Sequence, residues 1–186
     1  MRVFISLLAA IWIAFAVIWL VAALNTKRYA HTNMRSAIVR ASLILIIFSL
    51  LRNHAVRHFF RGIEHVIWNP VIASFGIALA ALGIGFAIWA RVQLGRNWGM
   101  PMSLKEDAEL ITSGPYAYVR HPIYGGVLIA MLGSALVSIW WIAVLVLFGA
   151  YFVWSARTEE KIMTAQFPQL YADYKKRTKM FIPFVV

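Results

Sequence analysis

Two short stretches of this 186-residue chain carry residue types able to do chemistry. The first, SGPYAYVRHPIYGG at residues 113–126, sets Tyr116, Tyr118, Arg120, His121 and Tyr124 at the edge of a long apolar run. The second is the adjacent pair Glu159 and Glu160, two of only seven acids in the chain, at the end of the next apolar run. Pro122 suits the first turn of a helix. Arg120 and His121 therefore fall beside free backbone N–H groups and the positive end of a helix dipole, where an anionic group is favoured. Adjacent acids at the end of a membrane span are costly without a cationic partner or a chemical task. An Arg-His pair can also simply anchor a helix end at lipid headgroups. Cation and acid pairs brought together beside tyrosines suit a zwitterionic, aromatic-bearing cofactor from the cytosol and a lipophilic substrate from the bilayer. Residue chemistry does not name that cofactor.

The elements that must position these residues are membrane spans. The chain is 62% hydrophobic and 13% charged, against roughly 45–50% and about 25% in soluble domains. Apolar runs occupy Val3–Leu24, about Ser36–Leu51, Asn69–Leu94, 122–138 and 139–156. The expected fold is all-α: a polytopic membrane protein of about five transmembrane helices, the last two a tight helical hairpin, followed by a cytosolic C-terminal helix bent at Pro168. The second and fourth runs are short for a span. One domain is expected over residues 1–186, with N-terminal spans in 1–93 and a loop, hairpin and tail in 94–186. Five spans place four Lys/Arg on the face of the N-terminus and fourteen on the other. The positive-inside rule then puts the N-terminus outside and the 95–121 loop and C-terminal tail in the cytosol. The membrane expected is the inner (cell) membrane of a bacterium or archaeon.

Other chemistries find little support. The chain has no cysteine, which excludes thiolate metal sites and a cysteine nucleophile. Its net charge of +11 fits basic loops on anionic lipid, and no basic-aromatic surface suggests nucleic acid. Gly83-x-Gly85 lacks the strand and third glycine of a dinucleotide loop. Gly76/Ala80 and Gly83/Ala87, like Gly126, Ala130 and Ser134, read as close helix packing. His54 and His58 share a helix face without the glutamate of a zinc motif, so RNHAVRHFFRGIEH reads as an interfacial helix.

The segment SGPYAYVRHPIYGG resembles the G-x-Y-x-x-x-R-H-P-x-Y motif of the isoprenylcysteine carboxyl methyltransferase family, to which phospholipid N-methyltransferases are related. EEKIMTAQFPQLYADYKKRTKMFIPF resembles that family's closing motif. The resemblance covers about residues 94–184 and implies S-adenosylmethionine as cofactor. By matching position it assigns His121 and Tyr124 to the methionyl end and Glu159 or Glu160 to the amino or ribose groups. Arg120 would order the loop, Pro122 would shape its turn, and Arg177 would orient a substrate carboxylate. Trp98 and Tyr116 would wall the adenine or substrate. The implied reaction is in-line methyl transfer, with Arg177 and His121 nearest the chemistry. The acceptor is a lipophilic small molecule or lipid: an isoprenoid or prenylcysteine-like carboxylate, alternatively a phospholipid amine or a small thiol. A carboxylate is favoured because it needs no general base. The competing readings are an NADPH-dependent membrane reductase and a non-enzymatic membrane scaffold.

Overall fold

Helix signals written into the sequence set most element boundaries. The computed structural model describes residues 1–23, 29–31, 52–98, 104–105 and 109–182, with scattered positions between 38 and 49. Arg2–Ala23 form α1, His54–Ile67 α2 and Pro70–Leu94 α3. Pro122–Val137 form α4, Trp140–Gln166 α5 and Pro168–Arg177 α6. The Asn69 side chain caps α3 by accepting from the N–H groups of Val71 (2.8 Å) and Ile72 (3.3 Å). Gly95, at φ 55°, ends it with its N–H on the carbonyls of Arg91 and Val92. Only Ser138 and Ile139 separate α4 from α5, which makes the expected hairpin. Phe167 and Pro168 bend the chain between α5 and α6.

Among the described residues α1, α3 and α5 are long and apolar enough to cross a membrane, and α4 is the shorter partner at 16 residues. The expected run at 36–51 lies outside the described residues apart from scattered helical positions. The α1 and α3 helices run the same way. Phe4 meets Trp68 edge-on at one end (5.8 Å), and the Arg91 guanidinium reaches the Ala22 carbonyl at the other (2.6 Å). Phe60 of α2 stacks on Trp140 near the first end. One departure from the all-α expectation is a short antiparallel pair, Tyr29–His31 (β1) with Leu104–Lys105 (β2). It joins two polar connections, and neither segment had the alternating pattern of a strand.

The close pair is α3 with α4, and small residues make it possible. A Cβ on Gly83 would stand 2.5 Å from the Ala130 nitrogen, and one on Gly133 would stand 2.5 Å from the Ala80 nitrogen. Backbone on backbone leaves nothing to move aside. Gly85, two residues on, has nothing within 4 Å of such a Cβ. Gly83→Val is therefore expected to cost more than the about 1–3 kcal/mol of ordinary overpacking. Gly85→Val should leave the thermal melt in detergent nearly unchanged. Equal melts for the two variants would overturn this account of the packing.

Candidate functional site

The start of α4, the last turns of α5 and the tail meet at one end of the bundle. Glu159 lies one turn beyond Ser155 on α5, so both face the first turn of α4. Glu159 Oε1 accepts from the Tyr124 hydroxyl (2.5 Å) and the Ser155 hydroxyl (2.9 Å). Its Oε2 stands 3.5 Å from His121 Nδ1. The Tyr124 ring is stacked between His121 (5.5 Å) and Phe152 (4.5 Å), which fixes its hydroxyl direction.

Glu160 points elsewhere. Its Oε1 accepts from Arg120 Nε at 2.6 Å and lies 3.6 Å from His121 Nε2, while its Oε2 pairs with Lys175 Nζ at 2.8 Å. Arg120 also donates through Nη1 to the Thr178 carbonyl. The backbone N–H groups of Arg120 and His121 donate to the carbonyls of Lys179 (2.8 Å) and Met180 (3.0 Å). Tyr174 donates to the Tyr116 carbonyl at 2.7 Å. The tail is thereby clasped to the segment that opens α4.

The His121 imidazole sits between two carboxylates. Burial alone would push it down, but Glu159 and Glu160 outweigh that and raise it above its ordinary value. Burial pushes up the phenols of Tyr116, Tyr171 and Tyr174, which remain protonated. A raised histidine contributes stability that is complete below its unfolded value, about pH 6.5, and is lost as pH rises through the folded value. The melting temperature of the detergent-solubilised protein should fall over that window. His121→Gln should flatten the fall; an unchanged slope would show that His121 is neutral in the fold.

These groups form the polar end of a cavity of about 440 Å³. Arg120, His121, Tyr124 and Glu159 line it, whereas Glu160 does not. The remaining wall is largely apolar: Trp12, Phe15 and Trp19 from α1, Val127 and Met131 from α4, Phe148 and Phe152 from α5. Tyr116 and Trp98 line it as well, Trp98 lying under the Arg91 guanidinium at 4.6 Å. Pro122 is buried in the first turn of α4.

Arg177 is placed differently from the expectation. Tyr171, Tyr174 and Thr178 form the buried side of α6 and its C-cap, spaced by three and four residues. That phase leaves Arg177 exposed and outside the cavity lining. The tail cation that pairs with the acid pair is Lys175, through Glu160, hidden in the basic stretch Lys175, Lys176, Arg177 and Lys179. Ser155, Asn97, Glu109 and Tyr171 were also missed; of these, only Ser155, four residues before Glu159, carried a usable signal.

The phospholipid methyltransferase family profile matches residues 71–169. The chain is 34% identical to the nickel-cobalt-cadmium resistance protein of Alcaligenes xylosoxydans xylosoxydans, over 82% of this chain and 66% of that protein. It is 29% identical to protein-S-isoprenylcysteine O-methyltransferase B of Arabidopsis thaliana, over 76% of this chain and 73% of that one. The solved structure of the eukaryotic intramembrane Ras methyltransferase, an isoprenylcysteine carboxyl methyltransferase, superposes with a TM-score of 0.58. That match covers 84% of this chain and 55% of the other at 22% identity, and speaks for the fold. The chain thus spans just under two thirds of the metal-resistance relative and about half of the solved chain.

Proposed function

Because the chain belongs to the phospholipid methyltransferase family, in company with isoprenylcysteine O-methyltransferases, we propose that it transfers a methyl group from S-adenosylmethionine to a lipophilic carboxylate in the membrane. The observation that carries this reading is the Glu159–Tyr124–Ser155 cluster at the mouth of an apolar-walled cavity. A cavity of about 440 Å³ is within the roughly 300–1,000 Å³ of small-molecule sites. The polar end of the cavity sets the Glu159 carboxylate beside Arg120, His121 and the first turn of α4. The donor set therefore fits a zwitterion: Glu159 for its ammonium or ribose hydroxyls, His121 and the start of α4 for its carboxylate. Trp98 and Tyr116 offer aromatic faces for the adenine.

When bound, S-adenosylmethionine supplies an electrophilic methyl on a good leaving group. The protein's part is alignment and exclusion of water. Tyr124, pinned by Glu159, Ser155 and two ring stacks, holds the geometry at the polar end. Phe148, Phe152 and the α1 aromatics keep the neighbouring space dry. Glu159 and Glu160 favour the protonated form of His121, which disfavours it as a general base. A carboxylate acceptor, ionised at neutral pH, needs none. The acceptor carboxylate would be oriented at the polar end of the cavity beside Arg120 rather than by Arg177, which lies outside the lining. With the basic loops inside, the site opens on the cytosolic leaflet and the N-terminus lies outside.

Calorimetric titration of S-adenosylmethionine into detergent-purified protein tests the cofactor, and base-labile methyl transfer into added isoprenoid acids tests the acceptor. Micromolar binding with volatile methyl released by alkali is expected. Folded protein that binds NADPH instead would replace this reading with a reductase. Base-stable methylation of a lipid amine would overturn the carboxylate assignment alone.

A further inference from the structure

The apolar part of the cavity has a floor. Trp12 of α1 and Trp141 of α5 stack at 4.9 Å and 13°, and this pair packs against two separate clusters. On the side of the site lie Val127, Met131, Tyr151 and Phe152. On the other side Leu8, Ala80 and Val137 are 4% exposed or less and close α1 against α3 and α4. None of those three lines the cavity. The Trp12 indole is held in place, because its Nε1–H donates to Ser134 Oγ at 3.1 Å and that hydroxyl donates to the Ala130 carbonyl at 2.7 Å. Pushing the ring aside would strand a donor in an apolar setting. From Tyr124 to Met131 the trough runs seven residues along α4, about 10 Å at the helical rise. The same 440 Å³ must also take the cofactor's methionyl end.

We propose that Trp12 is a specificity-determining residue, the floor that limits the acceptor's apolar chain to a short isoprenoid or medium-length hydrocarbon acid. The identity of the acceptor rests on the methyl-transfer reading; the floor does not. A longer chain seated on Trp12 holds its carboxylate out beyond Tyr124, away from the polar end.

Photo-crosslinking on the full chain in detergent, without cofactor, tests the floor. The probes are decanoic and hexadecanoic acids with a terminal diazirine. In the wild type the decanoic probe should label Trp12, Met131 or Phe148. The hexadecanoic probe, whose carboxylate cannot reach the polar end while its tip rests on the floor, should label them about tenfold less, close to the loss of one hydrogen bond to a charged group. Trp12→Ala should equalise the two probes, while Trp12→Phe, which keeps a ring, should keep most of the preference. If Trp12→Ala does not fold, Met131→Trp fills the trough instead and should drive the decanoic label out of it. Equal labelling of the floor by both probes in the wild type would overturn the proposal. So would a preference untouched by Trp12→Ala, or by Met131→Trp where that variant stands in. No methyl donor is present, so either result leaves the S-adenosylmethionine titration to judge the reaction separately.

Discussion

Glu159→Gln is expected to lower S-adenosylmethionine affinity about 100-fold, the loss of one charge-assisted contact of roughly 3 kcal/mol, while leaving the protein folded. The amide oxygen can still accept from the Tyr124 and Ser155 hydroxyls, so the local geometry survives. What disappears is the negative charge facing His121 and the cavity. Glu159 is the member of the acid pair with room for a ligand: its side chain is 24% exposed, against 8% for Glu160, whose oxygens are taken by Arg120 and Lys175. Calorimetry together with a thermal melt separates the two roles. Retained affinity in Glu159→Gln, with loss in a well-folded Glu160→Gln, would reverse the assignment.

That division between neighbours shows where the sequence is informative and where it stops. Asn69 before Pro70, and Gly95 after Leu94, mark α3 to the residue, because capping is local chemistry. The two-residue link between α4 and α5 is equally local. The end of α5 was less visible. Hydropathy ends near Ala156, yet the helix continues to Gln166. Apolar character reports contact with lipid, whereas backbone helicity persists through the site that Ser155 and Glu159 face. The tail bend at Pro168 was legible; the pairing of Lys175 rather than Arg177 with Glu160 was not, since it depends on the phase set by the buried Tyr171 and Tyr174.

The α1 wall was hidden for a different reason. An uncharged span reads as uniform grease, and composition alone cannot say which side meets lipid. Trp12, Phe15 and Trp19 nevertheless recur at helical spacing, three and four residues apart. In the fold they turn together toward α4 and α5 and become one side of the cavity. Small residues on α3 and α4 act in the opposite way. They remove side chains so that two backbones touch, and this leaves α1 and α5 to enclose the space. The site thus depends on one tight helix pair and one aromatic stripe, with polar chemistry confined to the end where α5 outruns the apolar run.

Glu160→Ala should destabilise the detergent-solubilised protein by about 3 kcal/mol, at the lower end of what removing one partner of a buried ion pair costs. Its carboxylate joins three chain segments: Arg120 before α4, Lys175 on α6, and α5 itself. Removal leaves the Arg120 side chain, 10% exposed, with the Thr178 carbonyl but no anion. Lys175 is 43% exposed and can turn to water, so the penalty falls mainly on Arg120. The tail is then held by backbone bonds from Arg120 and His121 and by the Tyr174 hydroxyl. Limited proteolysis should cut after Lys175, Lys176 or Lys179 in the variant before the bundle melts. A double-mutant cycle sharpens the test. Glu160→Ala combined with Arg120→Met should cost clearly less than the two single changes together, because the second change removes the charge that the first one strands. Strict additivity would mean that the 2.6 Å pair contributes no coupling. The clasp would then rest on the backbone bonds and the Tyr174 hydroxyl, without help from the Arg120–Glu160 pair.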